Sequence, residues 1–575
     1  MMRILQWLVK MLGVSIAGLS IFNSGCKNEN SENKRERILS TDSIRSEIPY
    51  ETDYFTDSNE LSSFYILHPQ FLEDSNQVNL FYRSRLYRFA WINKNGIIEQ
   101  AAHFINLINN SKNSSSYNDV LVSKLSGLLD STKSRMVQGK DDSGIFRETE
   151  LTFTASYFAF AKKEYEGLND SLFGNLEWYI PRKKINFNVF LDSLLIRPAN
   201  WIAANEPVFF MYQKLRNALD VYTLLACTHD WSAFPIPVKE LVPGGKDSSI
   251  IGIKKRLQLL GDFETGDTNL EFSNDLFKAI KRFQMRFGLE PDGRMNALFY
   301  EALNIPLEKR IREILINMER CRWLPVRPAG PYILINLPEY KLKVFDGEHF
   351  LWGCNVIVGK ASTNTVIFTD SLQYIVFSPY WNVPNAIIEN EIIPEMVGNS
   401  DYIRKHDMEI ITYDSPFRNI DPDEIKWGTI EAHPFPYMIR QRPSATNALG
   451  RVKFLFPNNF SIYLHDTPEK SLFSQSTRSF SHGCIRIEEP LKLAMDLLQN
   501  DSAWNEKKIT KAMFSGKEKF VRLHKKVPVF ILYLTAWVDD SGTVNFRKDI
   551  YGHDEKMENV MFEAEDVYPV EKQIN

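Results

Sequence analysis

Two neighbouring segments carry most of the information in this chain. The first is Ser461-Ile462-Tyr463-Leu464-His465-Asp466-Thr467-Pro468; the second, twelve residues on, is Ser481-His482-Gly483-Cys484-Ile485-Arg486-Ile487-Glu488. Residues 461–464 read as a short strand that delivers His465 at its end. In the second segment Ile485 and Ile487 alternate with polar neighbours, so an extended chain places Cys484 and Arg486 on one face. A cysteine attacks only as thiolate, and its ordinary pKa of ~8.5 calls for a base or positive field beside it near neutral pH. Two histidines precede Cys484: His482 by two residues and His465 by nineteen. Position alone leaves the base open, since His482 shares the face of Cys484 if extended but not if it sits on a turn. Gly483 permits close backbone approach, so the amides of Gly483 and Cys484 are candidates to hold a developing oxyanion. Arg486 could hold the thiolate or a substrate carboxylate through charge-assisted bonds.

Around these segments the sequence has a period of two. Residues 332–337 and 340–345 read as strands about Pro338-Glu339, and 355–358, 374–377, 451–456, 528–538 and 543–546 continue the series. Many short strands with turn residues between them make a β-rich domain, sandwich-like or barrel-like. The rhythm breaks over about 385–438, which is helical at 387–396 and otherwise polar and proline-rich. That reads as an insertion suited to covering a site as a lid. Upstream, residues 250–307 form a compact helical unit in which Leu276, Ile280, Phe283 and Phe287 recur on one helix face before an Asp292-Gly293 turn. From about 50 to 242 the pattern is one of long amphipathic helices, such as 148–163 and 207–225, ending at the breaker cluster Val242-Pro243-Gly244-Gly245. The aromatics along those helices read as core, as do Tyr380 and Trp381, and no catalytic constellation lies among the helices.

With 575 residues, 44 % of them hydrophobic and 24 % charged, the chain is long enough for several globular domains. A formal charge of −4 offers no clustered basic surface for nucleic acid. Of five cysteines none forms a CxxC pair, and the ten histidines contain no HExxH, so neither a metal site nor a cofactor is expected. Cys227, Cys321 and Cys354 read as buried thiols, and His433 as a loop residue. Arg3 and Lys10 precede an uncharged apolar run over 11–22 that is too short to span ~30 Å of hydrocarbon but suits a secretory signal. Residues 27–47 lack apolar periodicity and read as a solvated tether.

Three resemblances sharpen this. Ser24-Gly25-Cys26 resembles the lipobox of bacterial lipoproteins, with Asn23 standing where that motif usually has an aliphatic residue. It implies a lipid on Cys26 and an envelope protein, periplasmic and held to a membrane. The leucine-rich helix ending in Gly261, with Ala279-Ile280-Lys281-Arg282-Phe283-Gln284, Gly288-Leu289 and Asp292-Gly293, resembles the small three-helix peptidoglycan-binding domain. Finally, Ser481-His482-Gly483-Cys484-Ile485-Arg486, with His465 after a strand and Arg451-Val452-Lys453-Phe454-Leu455-Phe456-Pro457-Asn458 before it, resembles the L,D-transpeptidase (YkuD) catalytic domain. The order of domains is similar to that of the large YcbB-type enzymes of Gram-negative bacteria.

That family likeness implies a multidomain α+β protein: signal and lipobox 1–26, tether 27–49, helical scaffold 50–245, peptidoglycan-binding-like unit 246–307, linker 308–330, catalytic domain 331–550 and tail 551–575. It implies Cys484 as nucleophile and His465 as base. The backbone around His482, Gly483 and Cys484 would be the oxyanion hole, with Ser481 and Arg486 helping to position substrate. Glu488-Glu489 departs from the family, where an asparagine is common. The implied reaction is cysteine acyl transfer from a stem tetrapeptide, with loss of D-alanine, to an acceptor amine, giving 3→3 cross-links. Peptidoglycan peptide and glycan would be the partners of a monomer. The alternatives are an L,D-carboxypeptidase or other cysteine hydrolase, and a non-catalytic wall-binding lipoprotein.

Overall fold

The structure, a computed structural model, describes residues 52–109, 111, 116–138, 143–168, 176–198, 201, 205–264, 269–326, 328–399, 401–430 and 434–563. The leader, Cys26, the whole of the tether and His433 lie outside them. The chain divides into two compact units, one of residues up to 171, 182–229 and 318–326, the other of 172–181, 230–317 and 327 onward.

The first unit is helical, with helices at Ser58–Leu67, Ser75–Ser84, Glu99–Asn109, Ser116–Val137, Ser143–Ala161, Phe187–Ile196 and Met211–Thr228. One small hairpin, β1 (Ile92–Asn93) with β2 (Gly96–Ile97), interrupts them. Helix starts are set by side chains that satisfy free amides: Asp57 accepts from the Asn59 and Glu60 N–H groups, and Asn186 from Val189. Ser143–Ala161 is buried around most of its circumference, as a central helix must be. Its aromatics do form core: the Phe153 ring lies 5.4 Å from Trp91, and Tyr157 5.8 Å from Phe104.

Within that core sits a carboxyl group. Glu150 accepts from the Tyr82 hydroxyl at 2.9 Å and from the Ala90 and Trp91 N–H groups at 2.5 and 2.9 Å, and burial pushes its pKa up to about 7. A carboxyl that binds its proton more tightly when folded contributes stability at low pH and loses it as pH rises through the folded value. From the ordinary 4.5 to about 7 the difference is roughly 3 kcal/mol, at ~1.4 kcal/mol per pH unit. The urea midpoint of the helical unit is therefore expected to fall between pH 5 and 8, and Glu150→Gln to flatten that slope. An unchanged slope in the variant would assign the pH dependence elsewhere.

The second unit begins with three short helices, Ser249–Leu259, Asn274–Arg286 and Ala297–Leu303. Leu276, Ala279, Ile280 and Phe283 are fully buried along the middle one. Ser273 and Asn296 cap the last two.

The β-rich part is built from β3 (Pro331–Asn336), β4 (Lys341–Asp346), β5 (His349–Gly359), β6 (Thr369–Phe377), β7 (Trp381–Asn382), β8 (Met408–Ile411), β9 (Asn419–Ile420), β10 (Met438–Gln441), β11 (Val452–Leu455), β12 (Leu464–His465), β13 (Ser479–Ser481), β14 (Ile485–Ile487), β15 (Lys519–Leu532), β16 (Ala536–Val538) and β17 (Val544–Phe546). Nine of these form one sheet in the order β13-β5-β14-β12-β11-β6-β15-β3-β4, and β4 pairs in turn with β5. Eight of the nine strands, β5 round to β4, thus close into a barrel that removes most of the edge an open sheet would leave, and β13 is attached to the end of β5. Two long strands make closure possible. β5 pairs with β4 along its first part and with β14 and β13 along its last; β15 pairs with β6 and β3 across a register shift between Arg522 and Val527.

Several strands differ from the alternation in the sequence. β5 starts at His349 and β15 at Lys519, earlier than expected, and the 528–538 run is broken before β16. The strand expected over 461–464 shrinks to Leu464–His465 because Ser461 takes a left-handed φ of +57°, which no regular strand accommodates. β7, β10, β8 and β9 form a separate four-stranded sheet. With the helical turns Asn385–Ile387, Ile388–Ile392 and Ile393–Gly398 it encloses its own core of Val383, Ile388, Ile392, Met396, Trp427 and Ile439 among others.

Candidate active site

Strand register brings the candidate residues together. β12 runs antiparallel to β11 and parallel to β14, so Lys453, His465 and Arg486 are successive register partners across three strands. Paired positions share a face, and residues two apart on one strand share it too. Tyr463 and Cys484 therefore join His465 and Arg486 on that face, while Leu464, Ile485 and Ile487 are fully buried on the other. The Ile485 N–H donates to the Tyr463 carbonyl at 3.2 Å and aligns the start of β14 with this row.

His465 is buried and held in one tautomer. Its Nδ1 donates to the Asp466 carbonyl at 2.6 Å, and a carbonyl can only accept, so Nε2 carries the free lone pair. Burial, and then the nearby charges of Arg486 and Lys453, push its pKa down to about 3. Asp466 is fixed in its turn: its carboxylate accepts from the Arg451 and Thr467 N–H groups at 2.8 and 2.7 Å and from Lys470 at 2.6 Å. The imidazole is thus a neutral, oriented base.

Cys484 sits at the end of a tight turn whose Gly483 has φ +112°, a conformation side chains avoid. Its Sγ donates to the Ser461 carbonyl at 3.6 Å. Burial raises the thiol pKa, and hydrogen bonds from the Tyr463 backbone and hydroxyl and the charge of Arg486 oppose that rise. Tyr463 itself stays protonated, because burial and the neighbouring sulfur raise its pKa by more than the hydrogen bond from Trp381 lowers it. Ser481 Oγ donates to the Cys484 carbonyl at 2.6 Å and accepts from the Gly483 N–H at 3.2 Å. The Cys484 N–H has no acceptor among the described residues.

Of the residues singled out in sequence, Cys484, His465, Gly483, Ser481 and Arg486 meet here, with Arg486 paired to Glu469. His482 does not join them. It lies on the turn, exposed, with Nε2 at 2.8 Å from the carboxylate of Glu391 in the inserted segment. Cys321 and Cys354 are buried thiols, and Cys227 is half-buried. Sequence reasoning passed over Tyr463, Lys453 and Thr365. The signal for Tyr463 was its period-two spacing from His465, while Lys453 comes beside His465 only through the pairing of β11 with β12. Among the described residues no group of three or more His, Cys, Asp or Glu side chains is placed to hold a metal ion.

Comparison with known proteins adds domain matches. Residues 330–504 match the L,D-transpeptidase catalytic domain (YkuD), residues 76–219 the scaffold domain, and residues 246–303 the "Putative peptidoglycan binding domain". These matches give the chain a domain like the L,D-transpeptidase catalytic domain beside a scaffold-like and a peptidoglycan-binding-like domain. A Haemophilus influenzae protein named "Putative L,D-transpeptidase" is 34 % identical over 246 residues, 43 % of this chain and 49 % of the relative, so the match spans about half the length of that relative. Among solved structures, an L,D-transpeptidase from Xylanimonas cellulosilytica is 13 % identical, with 52 % of this chain and 100 % of that one covered and a TM-score of 0.16. One from Stackebrandtia nassauensis is also 13 % identical, covering 52 % and 97 %, with a TM-score of 0.21. No helix among the described residues is long and apolar enough to cross a membrane.

Proposed function

We propose that the chain is a peptidoglycan L,D-transpeptidase that uses Cys484 as nucleophile and His465 as base. The observation that carries this reading is one face on which a neutral imidazole, with Nδ1 tied and Nε2 free, lies on the strand beside a thiol whose own amide lacks an acceptor. Nε2 takes the thiol proton as Sγ attacks the carbonyl joining the third stem residue to the terminal D-alanine. The oxyanion forms against the Cys484 N–H. The C–N bond breaks, His465 returns the proton to the leaving amine, and a thioester remains. An amine on a second stem then attacks the thioester, loses a proton to His465, and releases Cys484 as thiol. One amide is exchanged for another, so no external energy source is needed. The inserted segment reaches the turn through Glu391–His482, the flanking strand β7 reaches Tyr463 beside the nucleophile through Trp381, and in this reading they limit entry of water. The peptidoglycan-binding domain would hold the wall substrate, and a lipid on Cys26 would hold the enzyme in the envelope.

Incubation of the full chain with disaccharide-tetrapeptide, followed by mass spectrometry, tests this. A cross-linked dimer lacking one D-alanine is expected. Tripeptide alone would make the enzyme a carboxypeptidase, with water taking the place of the amine at the same thioester, and an unchanged substrate would leave a binding protein.

A further inference from the structure

Thr365 is fully buried in the loop that follows β5, and a hydroxyl at that depth needs partners. It has one for each role. Oγ1 accepts from the Gly359 N–H at 2.9 Å and donates to the Gly483 carbonyl at 2.8 Å. That carbonyl and the Cys484 N–H belong to one planar trans peptide, so they point in opposite directions. Holding the oxygen of this peptide therefore aims its N–H. Ser481 Oγ occupies the neighbouring groups, the Gly483 N–H and the Cys484 carbonyl, and leaves the Cys484 N–H without an acceptor among the described residues.

The loop carrying Thr365 is itself built to hold still. A Cβ on Gly359 would meet the Thr363 carbonyl at 2.1 Å, so only glycine lets the loop fold back this tightly. Thr363 Oγ1 donates to the Ser481 carbonyl at 3.1 Å, and the Asn364 side chain donates to Glu177 at 3.1 Å. The Tyr551 hydroxyl donates to the Gly359 carbonyl at 2.7 Å and accepts from the Thr365 N–H at 3.4 Å.

We propose that Thr365 is a positioning residue for acyl transfer, its hydroxyl fixing the Gly483–Cys484 peptide so that the Cys484 N–H faces the developing oxyanion. The inference rests on the acyl-transfer reading above. Thr365 touches no reacting atom and acts only through the peptide plane.

Two reagents separate this role from a merely structural one. p-Nitrophenyl acetate acylates Sγ through a tetrahedral oxyanion: the S–C bond forms, the C–O bond breaks, nitrophenolate leaves and the thiol proton passes through His465 to solvent. Iodoacetamide alkylates the same sulfur by displacing iodide from a saturated carbon, with no oxyanion. Both are followed on the full chain by intact mass. Removing an oxyanion-hole donor costs ~10²–10³-fold, so misaiming one through Thr365→Val is expected to slow acylation about tenfold or more. Alkylation should stay within about twofold, and Thr365→Ser, which keeps the hydroxyl, should acylate within about threefold of the parent. Tyr551→Phe, which loosens the loop, should give a smaller loss of the same selective kind. Acylation of Thr365→Val at the parent rate, equal slowing of both reactions, or a serine variant as slow as valine would each overturn the proposal. If the variants show this split between reagents yet the parent leaves disaccharide-tetrapeptide unchanged, the positioning role stands and the cross-linking reading falls.

Discussion

Cys484→Ala is expected to reduce turnover of disaccharide-tetrapeptide to background, a loss of ~10⁴-fold or more, and to abolish the thioester seen by intact mass. The size follows from the site. Among the described residues the other thiols lie on other elements: Cys227 and Cys321 belong to the helical unit, and Cys354 is buried in β5 with its pKa pushed up to about 11. A residual rate within tenfold of the parent would remove Cys484 from the mechanism. Folding should survive, because Cys484 is only half-buried and its turn is held by Ser481 and Thr365 rather than by the thiol.

His465→Gln is expected to slow acylation by ~10²–10⁴-fold, the usual worth of a positioned general base. His482→Gln should cost less than about tenfold by the same measure, since that ring faces Glu391 across the surface of the turn. The reverse order would exchange their roles. The resting protonation state gives a second check. With His465 neutral down to about pH 3 and the thiol pKa raised by burial, the site rests as thiol and imidazole, not as thiolate and imidazolium. Raising a thiol pKa disfavours its charged form, so alkylation by iodoacetamide should climb with pH and keep climbing beyond the ordinary thiol value of ~8.5. A plateau already reached between pH 5 and 6 would reveal a preformed ion pair and reject the neutral-base mechanism.

Much of this could be read from the chain itself. Leu464, Ile485 and Ile487 alternate with His465, Cys484 and Arg486, and that period of two is the physical reason the site forms on one face. Barrel closure was not legible. It depends on β5 and β15 having two sets of partners each, and their outer halves, His349–Leu351 and 519–526, are exposed or charged enough to read as loop. The small sheet of the insertion was missed because β8 and β9 are only four and two residues long and the strands that complete it, β7 and β10, come from flanking segments. Thr365 could not have been chosen from sequence at all. Nothing local marks it, and its importance comes from a carbonyl 118 residues away.

That distance bears on when the protein becomes competent. Thr365 meets Gly483, and Asn336 bonds to Leu534 across 198 residues, so the barrel is held by contacts that are remote along the chain. Such contacts bear the full entropy of closing long loops before they return any stability, and they form late and slowly. A ribosome that has released Cys484 has yet to make the long strand β15, without which β6 and β3 have nothing between them. The newborn thiol is then an ordinary one, with neither its imidazole nor its aimed amide. On the proposed mechanism, chemical competence is expected to arrive with the closing of the barrel, and a chain cut short before that point to carry the sulfur without the chemistry.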